Sequence, residues 1–216
     1  MLPLSADDRI HPDYVRRAVD VMQGRADVGV VYCRAEFFDG RTGTWDLPDY
    51  SPEEMARGNV IFASAMFRRG DWERVGGLNE DAALGLEDWD FWLRVTSLPR
   101  GVVRLNEILF HYRIRSDSLT TRIAEDPGKT AAAQAVVFRN NVEFFADHAE
   151  SLFTYRNQLE EEVWELRTHV RRWCWITERL DRYARLHPRL ADHTARGEAQ
   201  VPQDTAGVGG PPGSRV

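Results

Sequence analysis

Two pairs of neighbouring carboxylates carry the side chains in this chain best suited to acid–base or phosphate chemistry: Glu87-Asp88 and Asp7-Asp8. Glu87 and Asp88 follow Gly85-Leu86 and open a run in which Trp89, Trp92, Leu93 and Val95 recur at helical spacing. They therefore fall in a first helical turn, where unpaired N–H groups and the dipole favour negative charge. A carboxylate held at the lip of a buried helix can accept a proton from a hydroxyl. Helix-start acids are common, so local pattern alone favours a purely structural pair. Adjacent acids also raise each other's proton affinity, which opposes the dipole, and sequence does not give the sign of the sum. Asp7 and Asp8 follow Met1-Leu2-Pro3-Leu4, which reads as the end of a buried strand running into a loop. In open α/β sheets, ligands bind just beyond the carboxyl ends of strands, where these acids would stand.

The elements that must position these acids come in order along the chain. Pro12 opens a helix with Tyr14, Val15, Ala18, Val19 and Met22 on one face and Gly24 as its stop. Val28 to Cys33 is a continuous apolar run of buried-strand type, prolonged to Phe38 and turning at Asp39-Gly40 toward Thr44–Leu47. Ser51-Pro52-Glu53-Glu54 reads as a capped helix start, with Glu54 closing a capping box. Val60 to Phe67 reads as a strand, Asp71 as the cap of a short helix, and Gly76-Gly77 as a tight turn. Val102–Leu105 and Ile108–Ile114 read as two further strands. Two helices follow, over Pro127–Asp147 and Glu150–Leu186. In the second, Leu152, Leu159, Leu166, Trp173 and Leu180 are spaced by sevens. Val163, Val170, Thr177 and Ala184 fill the alternate seam position, which Arg156 breaks at its first place. That seam suits pairing with another chain or packing on the front domain. The predicted organisation is an α/β domain over 1–121, a coiled-coil-like helical extension over 122–190 and a Gly/Pro/Ser-rich disordered tail over 191–216.

Composition narrows the function classes. The net charge of −6 leaves no dominant basic face, which argues against a nucleic-acid partner. Cys33 and Cys174 lie far apart without a CxxC pattern, so a reducing compartment and no zinc-type site are the default. No apolar run approaches membrane-spanning length and no leader peptide is visible. A cytoplasmic protein, free or peripheral at the inner face of a membrane, is the expectation.

Taken together and in order, the blocks resemble the second half of a family 2 glycosyltransferase, an enzyme of GT-A fold. Asp7, Asp8 and Pro12 match the acid loop, and Gly76-Gly77-Leu78-Asn79-Glu80 the Gly-Gly-Phe-Asp-Glu-like run. Glu87-Asp88-Trp89-Asp90 with Arg94 match the Glu-Asp block, and Tyr112-Arg113-Ile114 with Ser118 the last block. The resemblance covers roughly residues 1–121 and implies an incomplete GT-A-like mixed sheet flanked by helices, lacking the nucleotide-binding first half. It implies transfer of a sugar from a nucleotide-sugar donor to a hydroxyl of a glycan, lipid-linked or protein acceptor, with inversion. By the same resemblance Asp88 is the base with Glu87 beside it, Asp8 and Arg113 touch the donor, and Trp89 and Asp90 touch the acceptor. Asp7 would ligate a divalent cation, Mn or Mg, which suits oxygen ligands and a diphosphate leaving group. Two residues depart from the pattern: Ser5 stands where the family has its first acid, and Arg115 where it has a His. An alternative of another class is a non-catalytic fragment whose long helix serves as an oligomerisation or docking module.

Overall fold

A computed structural model describes residues 1–79, 85–115 and 126–186. Glu80, Ser118 and the tail from 191 lie outside the described residues. The fold is mixed α/β, with a mixed sheet flanked by helices. Its strands are β1 (Arg9–Ile10), β2 (Val28–Asp39), β3 (Gly43–Trp45), β4 (Met66–Phe67) and β5 (Gly101–Ile114). The sheet order is β1-β5-β2-β3, with β4 also on β2. Among the described residues only the β2–β5 pair is parallel, and it forms the long spine. Val28 to Cys33 are all buried, so both faces of β2 are covered, as its unbroken apolar run requires.

The helices follow local signals closely. In α1 (Asp13–Gly24) Tyr14 and Ala18 are buried against the sheet, whereas Val15 is exposed. Arg68 closes the end of α1 by donating to the carbonyls of Met22 (2.8 Å) and Arg25 (2.9 Å), and to Val28 O at 2.6 Å. The Met22 and Arg25 carbonyls are ones that a helix end leaves unpaired, and Val28 opens β2. In α2 (Pro52–Arg57) the Ser51 side chain accepts from Glu54 N at 3.1 Å and Pro52 takes the first position. The Glu54 carboxylate turns to Arg57.

Several elements depart from the sequence reading. Met1–Leu4 is not a strand: only Met1 pairs, exchanging two backbone bonds with Phe67 (2.6 and 2.9 Å), and Leu4 is exposed. Within Val60–Phe67 the strand is confined to β4, and the preceding residues other than Ala63 are buried from a loop. Val102–Leu105 and Ile108–Ile114 are one strand, because Asn106-Glu107 bulge out of register between Cys33↔Leu105 and Arg34↔Ile108. Asp71 does not cap α3 (Arg69–Arg74): it is buried in its first turn and pairs with Arg100.

Downstream of α4 (Glu87–Thr96), the helix expected over Pro127–Asp147 breaks at Asn141 into α5 (Pro127–Asn140) and α6 (Val142–Asp147). The compact unit bearing the sheet runs from Met1 to Arg156, so α5, α6 and the first turns of α7 (Ala149–Leu186) belong to it rather than to an extension beginning at 122. Residues from Asn157 form a second unit.

The double glycine is a backbone requirement. Gly76 and Gly77 both have left-handed φ, 77° and 76°, which cost other residues about 1–2 kcal/mol. A Cβ on Gly77 would also lie 3.1 Å from the Trp72 ring, whereas one on Gly76 meets open space. Gly77→Ala should therefore destabilise by more than Gly76→Ala in urea titrations; equal costs would mean that the Trp72 contact is immaterial.

Candidate functional site

The two acid pairs are carried by different elements, and one member of the first, Asp8, shares a cavity with both members of the second. Asp8 immediately precedes β1, which pairs with β5 at Arg9↔His111. Its Oδ1 accepts from Arg113 N at 3.0 Å, which fastens the loop to the end of β5. Burial pushes the Asp8 carboxyl up, opposed by that N–H bond and assisted by the neighbouring charge of Asp7. On the other side Gly85, at φ 86°, turns the chain into α4, whose first residues are Glu87 and Asp88.

Asp8, Glu87 and Asp88 line one cavity of about 640 Å³. Asp8 and Asp88 are 80 residues apart in sequence, so their meeting is a product of the fold. The cavity wall is otherwise largely apolar, with aromatic rings prominent in it. Trp45 packs on Tyr112 with ring centroids 5.1 Å apart, and Phe62 stacks on Phe110 at 4.4 Å. Flat, partly apolar walls with a few convergent polar groups are the usual make-up of a small-molecule site.

Asp88 is the most perturbed of the acids. It is half-buried; its Oδ2 accepts from Asn59 Nδ2 at 2.9 Å and its Oδ1 from Trp89 N at 2.8 Å. Burial, with the Glu87 charge beside it, pushes its carboxyl from 3.8 up to about 7 against those two bonds. Desolvation thus wins over the helix terminus, settling the sign that sequence left open. Glu87 Oε2 is buried with no hydrogen-bond partner among the described residues.

The remaining candidate residues face elsewhere. Asp7 lies off the cavity wall, with Arg115 Nη1 3.7 Å from its carboxylate. Arg113 offers the site its backbone N–H. Its guanidinium lies 3.4 Å from Asp39 and over the Phe38 ring, on the opposite side of the strand from Tyr112. Trp89 is buried and donates through Nε1 to Met55 O at 2.9 Å. Asp90 is fully buried, and both its oxygens are taken. Oδ2 accepts from Arg94 at 2.8 and 3.1 Å, and Oδ1 from Asn140 at 3.1 Å and Asn141 at 2.9 Å. The acceptor contacts expected of Trp89 and Asp90 thus meet a packed interior. Asp90 joins α4 to α5, and Arg94, donating also to Val75 O and Gly77 O, holds the double-glycine turn.

The donor set is a poor fit for a resident cation. Among the described residues no group of three His, Cys, Asp or Glu side chains is placed to hold a metal. Ser5 brings no charge to the loop, and Asp7 already faces a guanidinium.

Sequence reasoning missed Asn59, which reads locally as a breaker after Gly58, and the wall residues Trp45 and Trp72. Neither type nor spacing distinguishes these from surface or core residues. No family model matches the chain, and no curated protein matches it significantly. No described helix is long and apolar enough to cross a membrane.

Proposed function

We propose that this cavity is the reaction chamber of a glycosyltransferase, in which a sugar passes from a nucleotide-sugar donor to an acceptor hydroxyl. The observation that carries the reading is the presence of Asp8 and Asp88 on one aromatic-walled cavity, with Asp88 held near neutrality. The bond from the acceptor oxygen to the anomeric carbon forms as the bond to the diphosphate oxygen breaks. Asp88 takes the acceptor proton, and the nucleoside diphosphate departs with the electron pair. Inversion follows from this single displacement. Asp8, fixed by the Arg113 N–H, orients the donor, and the rings of Trp45 and Tyr112 flank its flat faces. The mixed sheet flanked by helices is compatible with this reading, and the ordered acid blocks support it. Were a divalent cation bound, Asp7 would be its ligand, and it would stabilise the charge on the departing diphosphate.

A base with its carboxyl near 7 acts only when ionised. The transfer rate should therefore rise about tenfold per pH unit below about 7 and level above it. A flat profile between pH 5 and 8 would remove Asp88 from the proton transfer. Donor binding is read separately, by quenching of tryptophan fluorescence, since Trp45, Trp72 and Trp92 line the cavity. Uridine, guanosine and thymidine diphosphate sugars are the probes, with and without manganese. Quenching by one class, weakened in Asp8→Asn, is the expected result, and no response to any of them sinks the proposal.

The exposed apolar face of α7 favours a second reading, an oligomerisation or docking module without chemistry. Self-association of the chain with no quenching by any of these donors would select it.

A further inference from the structure

Beyond Asn157 the second unit of the chain is helical as far as Leu186, and its apolar side chains are exposed. Leu159, Val163, Leu166, Val170, Trp173 and Leu180 are between 40% and 65% exposed, a large apolar stripe for one helix. The stripe has a definite register. With Val163, Val170 and Thr177 at a, the residues Leu159, Leu166, Trp173 and Leu180 fall at d. β-Branched residues at a with Leu at d favour two parallel strands over three or four. Thr177 does not spoil the seam: its hydroxyl donates back to the carbonyls of Trp173 (3.2 Å) and Cys174 (2.9 Å), and its methyl remains for packing.

The flanking charges agree with that register. In a parallel pair each g residue faces the e residue five positions on in the partner. Here the g residue is Glu162 and the e residue five on is Arg167, so two copies would make this complementary pair twice. Trp164 and Trp175, at b and f, lie outside the seam. We infer that residues 159–180 of α7 dock with the same segment of a second copy of this chain, as a parallel two-stranded coiled coil. The inference does not rest on the reaction proposed above.

The test uses the full chain. Sedimentation equilibrium should give twice the 24.8 kDa chain mass, dissociating on dilution. Leu166→Glu/Val170→Glu places four carboxylates in the seam and should weaken the dimer by roughly 100-fold or more. Trp164→Glu/Trp175→Glu, outside the seam, should leave it intact. Arg167→Glu should weaken it, and adding Glu162→Arg should restore it. In a Cys174→Ser background, Leu159→Cys should form a 159–159 disulfide, which requires parallel strands in register. A monomer at tens of micromolar overturns the inference. So does a dimer indifferent to Leu166→Glu/Val170→Glu, a trimer, or a monomer that instead co-sediments with anionic lipid vesicles.

Discussion

Asp88→Asn should lower sugar transfer by ~10²–10⁴-fold while leaving donor-induced fluorescence quenching nearly unchanged, because it removes the proton acceptor and little of the cavity wall. The same substitution should stabilise the protein at alkaline pH. The folded carboxyl sits at about 7, above its ordinary 3.8, so its stabilising influence is complete below about pH 4 and is lost as pH rises through 7. Over that window the wild type gives up on the order of 4 kcal/mol, at ~1.4 kcal/mol per unit of raised pKa. An amide has no charge to bury. It does set its own N–H₂ or that of Asn59 against a donor, since Asn59 Nδ2 and Trp89 N both donate to the carboxylate. Losing one such bond costs about 1 kcal/mol. Asp88→Asn should therefore be about 1 kcal/mol less stable than wild type at pH 4 and roughly 3 kcal/mol more stable at pH 8. Urea titrations at the two pH values read the crossover. A variant less stable at both would mean that Asp88 is a structural acid, as its place in the first turn of α4 taken alone suggests.

The second large effect is expected at Asp90. Asp90→Ala strands Arg94, Asn140 and Asn141 around an empty position. Removing one member of a buried ion pair costs about 3–5 kcal/mol. Because Arg94 also holds Val75 O and Gly77 O, the loss should loosen the turn that precedes the site as well as the joint between α4 and α5. The double variant Asp90→Ala/Arg94→Met should cost less than the sum of the two single changes, since the uncompensated guanidinium is gone. At a temperature where Asp90→Ala is folded, donor and acceptor KM values should be close to wild type. A raised acceptor KM with unchanged stability would instead return Asp90 to a direct substrate contact.

The same two acids show where sequence reading succeeds and stops. The start of α4, the Ser51 cap, the Gly24 stop and the apolar run of β2 are legible because each depends on groups within a turn or a strand of each other. Asp88 and Asp90 sit on the same helix two residues apart and look equivalent in the string. One faces a cavity; the other is enclosed by partners 50 and 51 residues away. In the Asp7-Asp8 pair, the register of β1 on β5 sets Asp8 on the cavity wall and leaves Asp7 with Arg115. Reading Val102–Ile114 as two strands failed for a related reason: a bulge keeps both halves on β2, and nothing in Asn106-Glu107 distinguishes it from a turn.

By itself, then, the amino-acid order determined the helices, the buried strand, the left-handed glycines and the heptad stripe of α7, all set by bonds and periodicities that span a few residues. The tertiary structure alone decided which carboxylates share a cavity, and that Asp88 is lifted toward neutrality. The physical reason is that desolvation depends on the atoms that gather around a group, and even the amide that opposes the lift of Asp88, that of Asn59, comes from a loop 29 residues earlier in the chain.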